Sequence, residues 1–390
     1  MNTTTGDQQL VKRINRSVLL RLTRARPGLS RAQLAEASGL TKSTVSLLTR
    51  DLLNEGWLRE ARSAVASGLG RPSTPLFIDA EAHALIGVEI AVEWVRVVGV
   101  SLLGEVLCAH EEAASGHAPD AMCEQAARLV ARVFQALVRR GLQVSGIGVG
   151  VPGAIDEATG RVRFAPNLGW RELDLLPLLA QALAAAGLPA LPVHLQNEAD
   201  VAALGEYEFA AGANTGPLIF VSCDVGVGAG IVLNDRLFTG AQGMAGEIGH
   251  TVLQIDGPLC SCGRRGCAEA FFGSRALEPP PAGPRRLARP GAMARAGACF
   301  GVLLQNLWMA FDPSCIVVGG LSNVRHPALL QHALATLAQY SASAGIAPPT
   351  VRAARYHLQA AAVGAAALVL HRQLRPLLGG AAMAALPLAS

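Results

Sequence analysis

Charged residues and long apolar segments are both scarce in this chain. Only 16% of its 390 residues are charged, while 51% are hydrophobic. This composition excludes bulk disorder, which requires low hydrophobicity and a high net charge. The longest run near the C-terminus without charged or strongly polar residues covers the 14 residues 376–389, and two glycines and a proline interrupt it. A membrane-spanning helix needs about 20 apolar residues, so we expect none.

The N-terminus also lacks the apolar core of a signal peptide, because its first seven residues are polar. We therefore expect a cytoplasmic protein that has no membrane contact. At roughly 150 residues per domain, the chain is long enough for two or three domains with cores that need no disulfides.

The net charge of +4 is small but unevenly distributed. Residues 1–79 contain 12 Lys and Arg against 6 Asp and Glu, so they carry +6. Residues 80–390 contain 21 against 23 and carry −2. Such an asymmetry suggests a nucleic-acid-binding module in front of a different kind of domain. Charge alone leaves this explanation and a chance asymmetry evenly balanced.

The helical pattern of residues 1–79 predicts a DNA-binding module. Apolar spacing indicates a first helix over Asn15–Arg24, a second after Ser30 and a third over Lys42–Asn54. Gly39 interrupts the pattern between the second and third helices. A helix, a glycine-containing turn and another helix form the helix-turn-helix pattern.

Candidate DNA contacts lie on the polar face of the third helix and next to it. Short polar groups suit the major groove, and cations suit the phosphates. Two apolar stretches, Trp57–Glu60 and Leu76–Ile78, predict the strands of a wing around a glycine-rich basic tip. The candidates are Arg31, Lys42, Ser43, Thr44, Ser46, Arg50 and Arg71. The alternative is an ordinary three-helix domain with a solvated basic face.

From residue 84 onward the pattern predicts an α/β body made of two similar halves. Expected strands cover residues 85–90, 94–100, 104–107 and 144–151, and a similar run follows at 218–223, 226–233 and 236–238. Two such halves around a cleft indicate a two-lobed, actin-like, sugar-kinase-type fold. Ligands bind such folds at the interface between the lobes. The domains are thus expected at 1–79 and 80–390.

Three of the eight cysteines form a compact cluster that predicts a metal site. Cys260, Cys262 and Cys267 follow His250 with nine, one and four residues between successive members. Three thiolates and one imidazole are a ligand set for tetrahedral zinc, so the loop 250–267 is a candidate zinc loop. The alternative is three reduced cysteines beside an unrelated histidine. The other cysteines are scattered among apolar residues and are expected in the core.

Several stretches resemble the ROK family of repressors, open reading frames and kinases. The most specific is Gly246–His250 followed by Cys260–Glu269, which looks like the family signature. Further similar stretches are Gly39–Ser46, Gly70–Pro72, Gly146–Gly153, Pro166–Trp170, Asn197–Glu206 and Asp312–Gly320. The resemblance extends over most of residues 12 to 372.

The resemblance implies a sugar site and a structural role for the zinc. Family members that bind sugars hold the hydroxyls with an Asn and an acid at a helix start, with the Glu and His of the signature, and with the Glu after its last Cys. Carried over with the sugar-side loop, the candidates are Asn167, Asn197, Glu198, Glu247, His250 and Glu269. Because all four zinc ligands come from the protein, no open position remains for chemistry.

Departures from the family's kinases argue against catalysis. Glu198 stands where the kinases have the Asp that acts as general base, and catalytic geometry tolerates little displacement. The first phosphate loop has become Glu89–Glu93, without its two glycines and threonine, and the second begins with Asp224. Carboxylates there would repel a nucleotide phosphate. We therefore expect no catalytic residue, and the Asn-Glu-Ala stretch resembles the xylose-repressor branch.

Two further departures concern the end of the chain. The stretch 270–296 is shorter than the family's helical insert and contains five prolines, so it cannot form one continuous helix. It puts the small-domain packing and the dimer surface in doubt. A helix is expected to begin near Gly297. Leu358 and Gln359 stand where the family often has a Gly-Asp pair.

The function expected from these features is that of a sugar-responsive transcriptional regulator that represses carbohydrate genes. Its expected partners are a double-stranded DNA operator and a monosaccharide effector, and it would act as a homodimer or homotetramer. The first alternative is a DNA-binding sugar kinase of the hexokinase or glucokinase type. The second is a DNA-binding regulator with a dead sugar site that responds to a protein partner.

Overall fold

The N-terminal module is a helix-turn-helix followed by a two-stranded wing. A computed structural model describes residues 8–61, 74–209, 216–277 and 291–375. Helices α1 (Gln8–Ala25), α2 (Arg31–Ser38) and α3 (Lys42–Asn54) precede the antiparallel strands β1 (Leu58–Glu60) and β2 (Leu76–Ile78). The predicted second and third helices and the wing strands are confirmed, whereas α1 begins seven residues before Asn15.

Capping side chains fix the two helices of the turn. Ser30 and Gln33 form a reciprocal capping box at the start of α2, and Thr41 accepts a hydrogen bond from the backbone N–H of Thr44 at the start of α3. Gly39 ends α2 with a φ of 70°, a left-handed conformation that favours glycine. The local chemistry read from the sequence therefore determines where both helices begin and where the first one stops.

The first lobe is built on a five-stranded sheet with the order β10-β6-β3-β4-β5. Strands β3, β4 and β5 form an antiparallel meander, and β6 and β10 extend it in parallel. The strand bounds are β3 His83–Ile90, β4 Trp94–Ser101, β5 Val106–Ala113, β6 Gln143–Val151 and β10 Val193–Asn197. Helix α4 (Pro119–Arg139) covers the outer face of this sheet.

Two parts of this lobe differ from the sequence-based expectation. The third strand was expected at 104–107, but Gly104, with a φ of 85°, belongs to the turn and β5 begins at Val106. Between β6 and β10 lies a small three-stranded sheet that the sequence did not reveal, followed by a helix. These elements are β7 Ala154–Asp156, β8 Arg161–Ala165, β9 Trp170–Asp174 and α5 Leu175–Ala185.

The second lobe repeats the strand arrangement of the first, with the order β13-β12-β11-β14-β15. Its strands are β11 Leu218–Cys223, β12 Val227–Leu233, β13 Arg236–Leu237, β14 Cys315–Gly319 and β15 Thr350–Ala353. Its helices are α7 Glu269–Phe272, α8 Ser274–Leu277, α9 Ala292–Phe311, α10 Leu321–Arg325 and α11 Pro327–Ala344. The two similar α/β halves expected from the sequence are therefore confirmed.

The proline-containing stretch 270–296 includes most of α7, all of α8 and the start of α9. Helix α9 begins at Ala292, five residues before the expected Gly297. Residues 278–290 within this stretch lie outside the described residues. None of the described helices is both long and apolar enough to span a membrane.

Two helices form the layer between the sheets, and each packs on the sheet of the other lobe. Helix α6 (Glu198–Glu208) follows β10 of the first sheet but packs on β11 and β12 of the second. Helix α12 (Ala360–Leu374) follows β15 of the second sheet but packs on β3, β4 and β6 of the first. The chain therefore crosses from one lobe to the other twice, and both crossings lie in the layer between the two sheets.

Glycines allow the backbones in this layer to approach closely. A Cβ added at Gly87 of β3 would lie 1.9 Å from the carbonyl oxygen of Ala362, and one at Gly364 of α12 would lie 1.9 Å from that of Val201. A Cβ at Gly230 of β12 would lie 2.2 Å from the carbonyl oxygen of Ala199. Such contacts leave no room for a larger side chain, so the stack of sheet, α12, α6 and sheet is tightly packed.

Candidate functional site

The recognition face of α3 is open to solvent. Lys42, Ser43, Ser46 and Arg50 are exposed, whereas Val45, Leu48 and Leu52 hold the opposite face in the core of the module. Thr44 is half-buried, and its hydroxyl lies 2.8 Å from that of Thr41. The helix thus presents hydroxyls and two cations on one side, as a helix in a major groove requires.

Two further DNA-contact candidates lie elsewhere. Arg31 pairs with Glu60 of the wing strand at 2.6 Å, so its guanidinium braces α2 against the wing. Arg71, at the predicted wing tip, lies outside the described residues. The structure therefore adds no geometry for Arg71.

The candidate metal cluster contains two distances between ligand atoms that fit a tetrahedral site. The ligand atoms of His250, Cys260, Cys262 and Cys267 all lie within 4.8 Å of one another. Nδ1 of His250 is 3.6 Å from Sγ of Cys260, and the Sγ atoms of Cys262 and Cys267 are 3.8 Å apart. Zinc bonds of about 2.3 Å to sulfur and about 2.0 Å to nitrogen place tetrahedral ligands roughly 3.5–3.8 Å apart. These four residues could therefore hold one metal ion.

Two glycines shape the loop that brings the sulfurs together. Gly263 and Gly266 have φ values of 87° and 73°, and a Cβ at Gly266 would lie 1.6 Å from the carbonyl oxygen of Gln254. Isolated bridges join Val252 to Cys267 and Leu259 to Arg265 across the loop. The backbone thus folds back on itself, and its conformation at Gly263 and Gly266 favours glycine.

The imidazole of His250 connects this cluster to the cleft. Its Nδ1 faces the cysteines, while its Nε2 lies 4.0 Å from Oε2 of Glu247. Burial raises the pKa of Glu247, His250 opposes this shift, and the charge of Glu269 adds to it. The ring can therefore bind a metal on one edge and take part in a polar cleft on the other.

The start of α6 places Asn197 and Glu198 in the same cleft. Asn197 is the N-cap: its Oδ1 accepts from the N–H groups of Ala199 and Asp200, and its Nδ2 donates to the carbonyl oxygen of Gly153 at 2.8 Å. Burial raises the pKa of Glu198 well above its usual range, and the charges of Asp224, Glu89 and Glu247 raise it further. Glu198 is thus a carboxyl group in an acidic, enclosed position.

Asn167 and Glu269 meet across Gly226. A Cβ at Gly226 would lie 3.1 Å from Oε2 of Glu269 and 3.7 Å from Nδ2 of Asn167. Glu269 accepts hydrogen bonds from the hydroxyl of Ser261 at 3.0 Å and the N–H of Val227 at 3.3 Å. Asn167 lies in the turn between β8 and β9 of the first lobe, and Glu269 begins α7 of the second. Asn167 and Glu269, from different lobes, therefore face each other across Gly226.

The region that corresponds to the phosphate loops is acidic. Glu89, Glu198 and Asp224 line one cavity of about 30 Å³, together with Trp94 and His357. Asp224 is fixed by the N–H of Leu321 and by Ser222, both at 2.6 Å. The arrangement offers carboxylates where a nucleotide phosphate would need donors.

Arg96 of β4 closes this region, a role that no pattern in the sequence indicates. It is buried, pairs with Glu89 at 2.7 Å and Glu111 at 2.6 Å, and donates to the carbonyl oxygen of Leu358, just before α12. Burial raises the pKa of Glu89 to about 7 even though Arg96 opposes the shift. One guanidinium therefore connects the two lobes next to the acidic cavity.

Residues 85–372 match the ROK family model, and residues 17–62 match the IclR helix-turn-helix domain model. The chain belongs to the ROK family. It is 34% identical to the xylose repressor of Caldicellulosiruptor bescii over 276 residues, which is 70% of this chain and 67% of that protein. The winged helix-turn-helix and the two-lobed ROK body predicted from the sequence are confirmed.

Solved structures of other ROK proteins share the fold. A ROK transcriptional regulator, described as a homologue of the Escherichia coli MLC protein, superposes with a TM-score of 0.74 at 22% identity, covering 93% of this chain and 98% of that one. A ROK glucokinase from Streptomyces griseus, solved with glucose and AMPPNP, has a TM-score of 0.62 at 27% identity. It covers 73% of this chain and 98% of its own.

A second set of polar residues in this ROK protein was not anticipated from its sequence. Glu208, at the end of α6, is buried and accepts from Arg24 of α1 and from His371 of α12. Arg24 and Glu208 are 184 residues apart in the chain, so no local pattern could have shown the contact. The visible signal in the sequence is the pair of acidic residues, Glu206 and Glu208, at the end of a helix with an apolar middle.

Proposed function

We propose that this ROK protein is a sugar-responsive DNA-binding transcriptional regulator that represses carbohydrate genes. The observation that carries the proposal is the combination of an exposed recognition helix with a polar cleft and an acidic region at the position of the phosphate loops. The relative from Caldicellulosiruptor bescii is named a xylose repressor, which supports the repressor role. We place the DNA-binding domain at residues 1–79 and the ROK domain at residues 80–390.

In the proposed DNA complex, the start of α3 enters the major groove. Ser43, Thr44 and Ser46 would meet base edges, while Lys42 and Arg50 would meet phosphates. Arg31 and Arg71 would support the contact from α2 and from the wing. We propose a homodimer or homotetramer, since a symmetric assembly places two recognition helices on a palindromic operator.

In the proposed effector complex, a neutral monosaccharide lies between the lobes. Carboxylates accept strong hydrogen bonds from hydroxyl groups, and amides can donate or accept. Asn167, Asn197, Glu198, Glu247, His250 and Glu269 supply these groups. Binding would favour one arrangement of the two lobes over another, which is what a change in operator affinity requires.

We propose zinc as the metal of the His250 loop, with a structural role. Three thiolates and one imidazole suit zinc, and they leave no open coordination position. The ion would hold His250 so that its Nε2 faces the cleft, and it would fix the start of α7, where Glu269 lies. The chain's own residues would bind the sugar, and the metal would orient two of them.

The alternative of a DNA-binding sugar kinase is disfavoured by the cavity around Glu198. The carboxylates of Glu89 and Asp224, which line this cavity together with Glu198, would repel a phosphate. Glu198 would also place its carboxylate about one ångström away from the position of the kinase Asp. We therefore propose a protein without phosphoryl-transfer activity.

The decisive experiment measures operator affinity by fluorescence anisotropy, using genomic fragments selected by the purified protein. D-xylose and D-glucose, each with and without ATP, are then added. We expect one of the sugars to change the operator Kd at least tenfold without ATP, and a coupled assay to detect no ADP release. Sugar-dependent ADP release would instead support the kinase. Operator binding that no monosaccharide alters would support a regulator that responds to a protein partner.

A further inference from the structure

Helix α6 has one end in the sugar cleft and the other at the DNA-binding module. Its N-cap is Asn197, and its first residue is Glu198. Its last residue is Glu208, which contacts Arg24 of α1. At 1.5 Å per residue, the 11 residues of α6 span roughly 16 Å. A single short element therefore joins the two sites of the proposed function.

The contacts of Glu208 make this end a charged junction among three helices. Its Oε2 lies 2.7 Å from Arg24 of α1, and its Oε1 lies 2.6 Å from Nδ1 of His371 in α12. Arg375, just after α12, also donates to Oε1. Burial alone would raise the pKa of Glu208, but the hydrogen bond from His371 and the cations hold it well below its usual range. The carboxylate is therefore charged and fully engaged.

The surroundings of α6 prevent its two ends from moving independently. Gly205 packs on Gly364 of α12, where an added Cβ would lie 3.0 Å from the Gly364 Cα. At the other end, Ala199 packs on Gly230 of β12, where an added Cβ would lie 2.2 Å from the Ala199 carbonyl oxygen. Close-packed backbone transmits displacement because no compressible gap exists. A shift at Asn197 therefore carries Glu208 with it.

Besides Arg21, which pairs with Asp235 of the second lobe at 3.0 Å, Arg24 is the residue of α1 whose ion pair would carry such a shift to the module. Its guanidinium contacts Glu208 and also lies over the ring of Phe209, 5.7 Å from the centroid. Elsewhere the module rests on the first lobe, where Trp57 stacks on His83 at 4.9 Å and the carbonyl oxygen of Glu55 lies 2.7 Å from Nε2 of His83. A displacement of α6 relative to His83 would therefore rotate the module about this second contact.

We propose that Glu208 is a positioning residue that passes the state of the sugar cleft to the DNA-binding module through Arg24. This inference rests on the proposed function, because it supplies the path for that regulation. The ion pair is partly shielded, with the side chains of Arg24 and Glu208 exposed by 16% and 4%. Salt screens buried pairs less than exposed ones, so the connection persists at physiological ionic strength.

The test compares Arg24→Ala with Lys12→Ala in the full-length protein. Both variants remove a cation from α1, but Lys12 pairs with Asp51 inside the module at 2.8 Å. For each protein, operator Kd is measured with and without D-xylose and D-glucose, and sugar Kd is measured by calorimetry with and without operator. Arg24→Ala leaves Glu208 paired with His371 and Arg375, so it is milder than any change at Glu208 itself.

We expect Arg24→Ala to bind operator and sugar separately with less than a threefold change. The factor by which sugar changes the operator Kd should fall at least threefold. The factor by which operator changes the sugar Kd should fall by the same amount, as linkage requires. Lys12→Ala should keep both ratios. Arg24→Lys, which retains the charge, should recover at least half of the response, whereas loss of packing alone would give no such recovery.

A smaller fall in the ratio for Arg24→Ala, or an equal fall for Lys12→Ala, overturns the role of Glu208 while leaving the proposed function intact. If the unaltered protein shows no sugar effect on operator binding, the proposed function fails first and this inference fails with it. The unaltered protein and the variant thus separate the two failures.

Discussion

Nδ1 of His250 lies 3.6 Å from Sγ of Cys260, and this contact joins the candidate metal cluster to the cleft that we propose binds a sugar. The opposite edge of the ring faces Glu247. One side chain is thereby shared by a metal-binding cluster and a polar cleft. Removing the metal should disturb the cleft even though no ligand of the sugar has been changed.

Cys262→Ser should remove most of the zinc that we propose the unaltered protein binds, because a serine hydroxyl is a poor replacement for a thiolate. Sugar affinity should fall at least tenfold, since removal of an orienting group costs about 10–100-fold in comparable sites. Elemental analysis and calorimetry measure the two effects.

Cys299→Ser is the matched control, because Cys299 is a half-buried cysteine on α9 outside the cluster. It should keep both the metal and the sugar affinity. Full metal content in Cys262→Ser would show that the ligand assignment is wrong.

Arg50→Ala should weaken operator binding about tenfold and leave sugar binding unchanged. Arg50 is exposed on the recognition helix, and a lost phosphate contact should also lower the slope of log K against log salt by about one. Anisotropy titrations at several salt concentrations measure both quantities. Arg140→Ala, an exposed arginine on the first lobe, is the control. Loss of sugar affinity in Arg50→Ala would contradict the assignment of the module.

Glu198→Gln should flatten the dependence of stability on pH. The folded pKa of Glu198 is raised above its ordinary value of 4.5, so the stability it contributes is complete below that pH. It is lost as the pH rises toward the raised pKa, at up to about 1.4 kcal/mol per pH unit. Urea unfolding between pH 4.5 and 8 should show this fall in the unaltered protein and a smaller one in the variant.

The exposed Glu36 provides the control for this experiment. Glu36→Gln should keep the pH profile of the unaltered protein. Identical profiles for Glu198→Gln and the unaltered protein would mean that the carboxyl of Glu198 titrates normally.

Gly364→Ala should destabilise the protein by about 3 kcal/mol or more. The added Cβ would lie 1.9 Å from the carbonyl oxygen of Val201, so the two central helices must separate, and overpacking of this kind is costly. Thermal and urea unfolding measure the effect. Ala335→Gly, at an exposed position of α11, makes the opposite exchange and should lower the free energy of unfolding by only about 1 kcal/mol. A similar small cost for Gly364→Ala would mean that the layer is looser than its contacts indicate.

Features carried by short local patterns could be predicted from the sequence. The caps Ser30 and Thr41 mark helix starts, and the spacing of His250 and its three cysteines gives the ligand set, because neighbouring residues alone determine both. The small sheet β7–β9 was missed because its strands have only three to five residues. The contacts of Arg96 with Leu358 and of Arg24 with Glu208 depend on distant parts of the chain meeting, which no periodicity encodes.

The exchange of α6 and α12 between the sheets has a consequence for folding. Without α12, the first sheet would expose Leu85, Val98 and Val100, which are fully buried in the intact chain. Without α6, the second sheet would expose Phe220 and Val232. Neither half alone can bury all of its apolar core residues. Fragments 1–209 and 216–390 should therefore be unfolded or aggregated when expressed alone, and should regain structure only by complementation when they are refolded together.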